Sequence, residues 1–181
     1  MDLAKWKERF PSFAPGEVLS PSYLHIFETR GLLYLDLEAM QQLQDFRSFL
    51  GSPLYCNHGW LYNRGTRSIE EHLSISKNKA SNSFHVLCRA FDLSSDDLSP
   101  PELYEAAFDF GFTGIGLYDT FCHVDNRIVA NETPWTWDNR SHTLFDAGIL
   151  RRLTSGAPRP TYSPTDRYSF TIPTTDTDPG A

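Results

Sequence analysis

The sequence predicts an α+β fold, with a small, mainly antiparallel sheet and flanking helices. Two segments repeat apolar residues every three or four positions, which is the spacing of a helix that faces a core. Short apolar runs after the second segment are typical of strands. With 181 residues, 14% of them aromatic, the chain is long enough to bury a core. We therefore expect one domain, over residues 1–153, followed by a tail.

The N-terminal 35 residues are expected to form an arm that packs on this domain. They begin with an amphipathic pattern at Leu3, Trp6 and Phe10. Three prolines then interrupt the pattern, and proline is poorly tolerated inside a helix. The arm therefore has no long helical repeat of its own.

Two helices are predicted in the body of the domain. The first runs from Asp36 to a stop at Gly51, because its apolar residues recur at helical spacing. The second covers residues 99–110, where a serine and a glutamate three residues apart form a capping box around two prolines. Gly111 provides its C-terminal stop.

Strands are predicted at Gly114–Leu117 and Phe121–Asp125, and a short one is predicted at Leu54–His58. Trp135 and Trp137 alternate with polar residues, as they would on one face of a further strand. These two side chains would either line a cleft or cover the core.

Three possible metal ligands lie between residues 82 and 127. Histidine and aspartate both bind zinc, and three protein ligands with an open fourth position describe a hydrolytic site. On a helix, His85 and Asp92 would lie about 10.5 Å apart along the axis, and on a straight strand they would face opposite sides. They can meet at one ion only if the chain between them turns back. His123 and Asp125, two residues apart in an apolar strand, would face the same side.

The same residues resemble the motifs of a known family. Residues 83–92, Ser-Phe-His-Val-Leu-Cys-Arg-Ala-Phe-Asp, resemble the S-x-H-x-x-G-x-A-x-D motif of the M15 peptidases. Residues 114–127, Gly-Ile-Gly-Leu-Tyr-Asp-Thr-Phe-Cys-His-Val-Asp-Asn-Arg, are similar to the family's second block, G-x-G-x-Y followed by F-x-H-x-D-x-R. The family contains D-alanyl-D-alanine carboxypeptidases and peptidoglycan L,D-endopeptidases, including many phage endolysins. The resemblance covers roughly residues 37–137.

The resemblance implies a hedgehog/DD-peptidase-like fold and a Zn²⁺ site whose ligands are His85, Asp92 and His123. It also implies a zinc-dependent, phage-encoded peptidase that cleaves peptide bonds in peptidoglycan stem peptides. Cys88 stands where the family has glycine, the residue that most easily lets a backbone double back. Either a neighbouring residue makes this turn or the site is distorted.

The resemblance also assigns residues that would contact the substrate. Arg67 matches the arginine of the family's S-G-x-R motif, which holds a substrate carboxylate or the developing oxyanion. Ser83, which begins the first histidine motif, is a second candidate. Trp135 is the third candidate, proposed as a wall of the cleft from its alternation with polar residues and not from the resemblance.

A carboxylate is needed to take a proton from the attacking water. Many M15 peptidases place it three residues before the second histidine, and that position is Thr120 here. We favour Asp125 for this role and place Asp119 second. The alternative for Asp125 is that it orients His123 instead.

Charge and cysteine content restrict the partners and the compartment. The net charge of −7 offers no basic surface to nucleic acid or to an anionic membrane. An odd number of cysteines, Cys56, Cys88 and Cys122, without C-x-x-C spacing indicates free thiols and a reducing cytoplasm. No secretory signal and no run of 18 apolar residues is present, so neither export nor a membrane span is predicted. A protein that acts on peptidoglycan would then be released by lysis or carried on a phage particle.

A second class of function is a non-catalytic virion protein that keeps an M15-like fold as a building block. Residues 154–181 are rich in proline, threonine, serine and aspartate and have no apolar periodicity, so they are expected to form an extended tail. Tyr162, Tyr168 and Phe170 are its aromatic anchors and could dock on neighbouring virion subunits. The tail and Cys88 together motivate this alternative.

Overall fold

A computed structural model describes residues 1–31, 35–56, 65–75, 83–127 and 135–138. Within these ranges the chain forms helices and one small sheet. In order, the elements are α1 (Leu3–Arg9), α2 (Pro15–Val18), α3 (Pro21–Arg30), α4 (Leu37–Leu50), α5 (Ile69–Ile75), β1 (Ala90–Leu93), α6 (Pro100–Phe110), β2 (Gly114–Leu117), β3 (Cys122–Asp125) and β4 (Trp135–Asp138). The expected α+β class, with a small and mainly antiparallel sheet, is confirmed.

The sheet has the strand order β1-β3-β2-β4. Strand β3 pairs antiparallel with β1 on one side and with β2 on the other, while β2 pairs parallel with β4. The register places Asp92 of β1 directly opposite His123 of β3, and Gly114 of β2 opposite Asp125 of β3. The pairing of β3 with β1 therefore brings two of the predicted ligands, Asp92 and His123, together without any contribution from a loop.

Helices α4 and α6 form where local signals predict them. The Asp36 side chain accepts a hydrogen bond from the Ala39 backbone N–H at 2.9 Å, and Gly51 ends α4 with a φ of 65°. Glu102 accepts a hydrogen bond from the Ser99 backbone N–H at 2.8 Å, which confirms the capping box of α6. Helix α6 packs on β2 and β3, and α4 packs on α6.

The N-terminal segment forms three short helices and contributes side chains to the core. Trp6, Phe10, Phe13 and Phe27 are all buried. The Trp6 indole N–H donates to the Phe13 carbonyl at 2.8 Å, so burying this ring leaves its polar group satisfied. Pro15 and Pro21 begin α2 and α3, Gly31 ends α3 with a φ of 63°, and aromatic packing holds these short helices on the rest of the domain.

The predicted strand at Leu54–His58 is wrong over its described part. Tyr55 makes only an isolated antiparallel bridge with Ser94, through two backbone hydrogen bonds of 2.9 and 3.0 Å. A one-residue bridge gives too little pairing for a strand, and His58 lies outside the described residues.

Other expectations fall on parts of the chain that the structure does not describe. These are the tail over residues 154–181, with Tyr162, Tyr168 and Phe170, and the side chains of Trp135 and Trp137. The three cysteines are free, as predicted, and all three are buried. Among the described residues no helix combines the length and apolar character that crossing a membrane requires.

Candidate metal centre

A tight turn between Ser83 and Arg89 brings His85 back toward β1. The Arg89 N–H donates to the Phe84 carbonyl at 2.9 Å, and the Cys88 N–H donates to the His85 carbonyl at 3.2 Å. This pair of bonds is the Schellman pattern that ends a helical turn, and its left-handed position is Cys88, with a φ of 56°. Cys88 itself therefore makes the turn that the spacing of His85 and Asp92 requires.

His85, Asp92 and His123 form a buried cluster whose ligand atoms all lie within 4.8 Å of one another. Asp92 Oδ1 lies 3.3 Å from His85 Nε2 and 2.8 Å from His123 Nδ1. Ligand atoms around one tetrahedral zinc stand roughly 3 to 4 Å apart, given bonds near 2.1 Å. The three side chains are therefore close to the spacing that a single metal ion needs.

The Gly65 carbonyl sets which nitrogen His85 presents to the cluster. His85 Nδ1 lies 2.8 Å from the Gly65 carbonyl oxygen, which can only accept a hydrogen bond. Nδ1 therefore carries the proton, and burial lowers the pKa of His85 further than Asp92 raises it. The neutral ring turns the lone pair of Nε2 toward the Asp92 carboxylate. A cation between these two acceptors would stabilise the arrangement.

His123 lies between two carboxylates. Its Nδ1 faces Asp92, and its Nε2 donates to Asp125 Oδ2 at 3.0 Å. Burial opposes the charged ring, but the hydrogen bonds to the two carboxylates outweigh it and raise the pKa of His123 to about 9. On binding a metal, Nδ1 would lose its proton while Nε2–H kept Asp125, the usual support of a metal-binding histidine.

Both oxygens of Asp125 are engaged in hydrogen bonds. Oδ1 accepts from the Arg127 backbone N–H at 3.1 Å and from Arg127 Nε at 2.8 Å, and Oδ2 accepts from Arg127 and from His123. Burial would raise the pKa of Asp125, but Arg127 and His123 lower it to about 2. These contacts favour the role that orients His123 over the role of proton acceptor.

Gly114 leaves the space that the Asp125 carboxylate occupies. A Cβ at this position would lie 2.0 Å from Asp125 Oδ1 and 2.5 Å from Arg127 Nε. Glycine is therefore required at the first position of the G-x-G-x-Y block, opposite Asp125 in the sheet. The sequence analysis assigns no role to Gly114 or Arg127, although both residues belong to the second M15-like motif, residues 114–127.

Arg67 lies beside the cluster. Its guanidinium NH2 is 3.7 Å from Asp92 Oδ2, and its backbone N–H donates to the His85 carbonyl at 3.2 Å. The side chain is largely buried. Burial would raise the pKa of Asp92, but the hydrogen bond from His123 Nδ1 holds it well below its usual range, so the carboxylate is ionised and ready to bind a cation.

Of the remaining candidates, Ser83 and Asp119 lie in loops, and the side chain of Trp135 is outside the described part. Ser83 is half-buried, and its carbonyl accepts the first two hydrogen bonds of the turn, from Val86 and Leu87. Asp119 is exposed in the β2–β3 turn, which the Tyr118 N–H closes by donating to the Phe121 carbonyl at 3.1 Å.

No family model matches this sequence, and a comparison with curated proteins found no significant relative. The likeness to M15 peptidases therefore rests on the two motifs, and the capacity to bind a metal rests on the geometry of the cluster.

Proposed function

We propose that this chain is a zinc-dependent peptidase of the M15 type, with a hedgehog/DD-peptidase-like fold, that cleaves peptide bonds in peptidoglycan stem peptides. The observation that carries the proposal is the convergence of His85, Asp92 and His123 within 4.8 Å beside the buried Arg67. Each of the three ligands stands at the position in the two M15-like motifs where the family has a residue of the same type. The phage origin of the protein is part of the same proposal.

Zinc fits this donor set because two imidazoles and one carboxylate leave a fourth position open. Bound there, the ion would act as a Lewis acid toward a scissile carbonyl and would acidify water. The chain's own residues hold the site in shape: the Gly65 carbonyl fixes His85, and Asp125 fixes His123. Arg67 places a permanent positive charge next to the ligands, where it would hold a substrate carboxylate or a developing oxyanion.

The proton acceptor needs a carboxylate that can take up a proton. Asp125 is poorly suited, since its pKa of about 2 and its hydrogen bonds stabilise the ionised form. We therefore assign Asp125 to orienting His123 and keep Asp119, the second carboxylate proposed from the sequence, as the acceptor to test. Asp119 lies in the exposed β2–β3 turn, outside strand β3, where it is open to solvent and to a substrate.

Digestion of purified peptidoglycan, followed by mass spectrometry of the released peptides, tests the proposed reaction. The zinc-loaded protein should release stem-peptide fragments, and His85→Ala should release at least about 100-fold less, because a metal ligand is lost. His25→Ala is the matched control, since His25 is exposed on α3, and this variant should digest normally. A zinc-loaded protein that releases no fragment would contradict the peptidase and favour the non-catalytic virion role.

A further inference from the structure

The backbone around Thr66 is held by residues 18–20 of the N-terminal segment. The Thr66 N–H donates to the Val18 carbonyl at 2.8 Å, and the Ser20 N–H donates to the Thr66 carbonyl at 3.0 Å. These bonds form a parallel bridge between Leu19 and Thr66. Val18, Leu19, Ser20 and Thr66 are all buried, so water does not compete for these bonds.

Gly65 lies against this segment more closely than any other residue type could. A Cβ at Gly65 would stand 2.1 Å from the Val18 carbonyl oxygen and 2.9 Å from its carbon. Both atoms belong to backbone, so no side-chain rotation could relieve the clash. An alanine here would have to push the two segments apart.

Residues 65–67, which contact the N-terminal segment, also form hydrogen bonds to His85. The Gly65 carbonyl accepts a hydrogen bond from His85 Nδ1 at 2.8 Å, and the Arg67 N–H donates to the His85 carbonyl at 3.2 Å. One three-residue stretch thus fixes both the ring and the backbone of a candidate ligand. Its own position depends on hydrogen bonds to residues 18–20.

We propose that residues 18–20 are a positioning element of the metal centre, and that Gly65 is the positioning residue through which they act. The segment keeps the Gly65 carbonyl where it selects the His85 tautomer that offers Nε2 to the metal. This inference rests on the metal site of the proposed function. It adds that the N-terminal arm is needed for the site itself and not only for covering the core.

The affinity for zinc alone, measured by competition with a chelator, tests the inference. Gly65→Ala should bind zinc about 10- to 100-fold more weakly than the wild type, the usual effect of losing a partner of a metal-binding histidine. Gly16→Ala is the matched control, because Gly16 lies outside residues 18–20 and a Cβ there meets only Leu24 Cδ2 at an ordinary 3.6 Å. Its zinc affinity should be unchanged. A folded Gly65→Ala protein with wild-type affinity would overturn the inference.

The tautomer of His85 in the metal-free wild type provides a second readout that does not depend on any variant folding. Two-bond ¹H–¹⁵N correlation spectra should show the proton of His85 on Nδ1. A proton on Nε2 in the neutral ring would overturn the inference. If the wild type binds no zinc, the proposed function fails, while the tautomer still decides whether Gly65 orients the ring.

Discussion

Cys88 combines a left-handed backbone with a fully buried side chain. Left-handed φ costs a residue with a Cβ roughly 1 to 2 kcal/mol, and glycine avoids this cost. Cys88→Gly should therefore be more stable than Cys88→Ala by about 1 kcal/mol, although both variants lose the thiol. Chemical denaturation of the two proteins measures the difference.

Position 16 provides the control for this comparison. Gly16 has no positive φ, so alanine there should be at least as stable as glycine. If Cys88→Ala equals or exceeds Cys88→Gly in stability, Cys88 does not make the turn that brings His85 to Asp92.

Asp125 has two possible roles, and these predict different effects on zinc affinity. If Asp125 orients His123, Asp125→Asn should lower the affinity for zinc about 10-fold or more. Asp119→Asn should keep wild-type zinc affinity and, at saturating zinc, lose about 100-fold in turnover if Asp119 accepts the proton. Zinc titrations and the peptidoglycan assay on both variants separate the roles. Unchanged zinc affinity with lost turnover in Asp125→Asn would return the acceptor role to Asp125.

Strand β2 supports the site through the absence of a side chain at Gly114. In Gly114→Ala the new Cβ would meet Asp125 Oδ1 at 2.0 Å, so the carboxylate must move away from His123. We expect a fall in zinc affinity of about 10-fold, together with lower stability, because Asp125 would also lose its bonds to Arg127. Zinc titration and thermal unfolding of this variant, with Gly16→Ala as control, provide the test. Wild-type zinc affinity in Gly114→Ala would show that Asp125 does not need this position.

Local signals in the sequence were sufficient for the helices α4 and α6 and for strands β2 and β3. A capping aspartate at residue 36 and a left-handed glycine at residue 51 act within one turn of the helix that they bound. Strand β1 gave no such signal, because all four of its residues are buried and one of them is the charged Asp92. It exists through pairing with β3, and that pairing depends on the tertiary fold.

In the candidate site, too, some features could be predicted from local sequence and others depend on the tertiary fold. The need for a turn between His85 and Asp92 follows from their spacing alone, and the structure has that turn. The contact of Gly65 with Val18 joins segments that are nearly fifty residues apart, as the Thr66–Val18 separation of 48 shows. No periodicity within either segment encodes it. Only the folded chain reveals that the N-terminal arm supports a ligand.

The stability of the metal-free protein should depend on pH through His123 and Asp125. The pKa of His123 is raised from 6.5 to about 9, so its contribution is complete below pH 6.5 and is lost as pH rises through about 9. The pKa of Asp125 is lowered from 3.8 to about 2, so its contribution is present above pH 3.8 and is lost as pH falls through about 2. The melting temperature in chelator should therefore fall from pH 6.5 to pH 9.

Zinc should oppose this trend, since His123 must lose its Nδ1 proton to bind the ion and zinc affinity therefore rises with pH. Scanning fluorimetry in chelator and in excess zinc compares the two curves. The gap between them should widen from pH 6.5 to pH 9. Parallel curves would mean that zinc does not displace a proton from His123.

The arrangement of His85, Asp92 and His123 around one zinc ion can be observed directly by anomalous diffraction at the zinc edge, from crystals grown with zinc. We expect a single peak within about 2.3 Å of His85 Nε2, Asp92 Oδ1 and His123 Nδ1. Crystals of His123→Ala grown under the same conditions should lack this peak. No peak among the three side chains of the wild type, or a peak that persists in His123→Ala, would contradict the metal centre and the peptidase built on it.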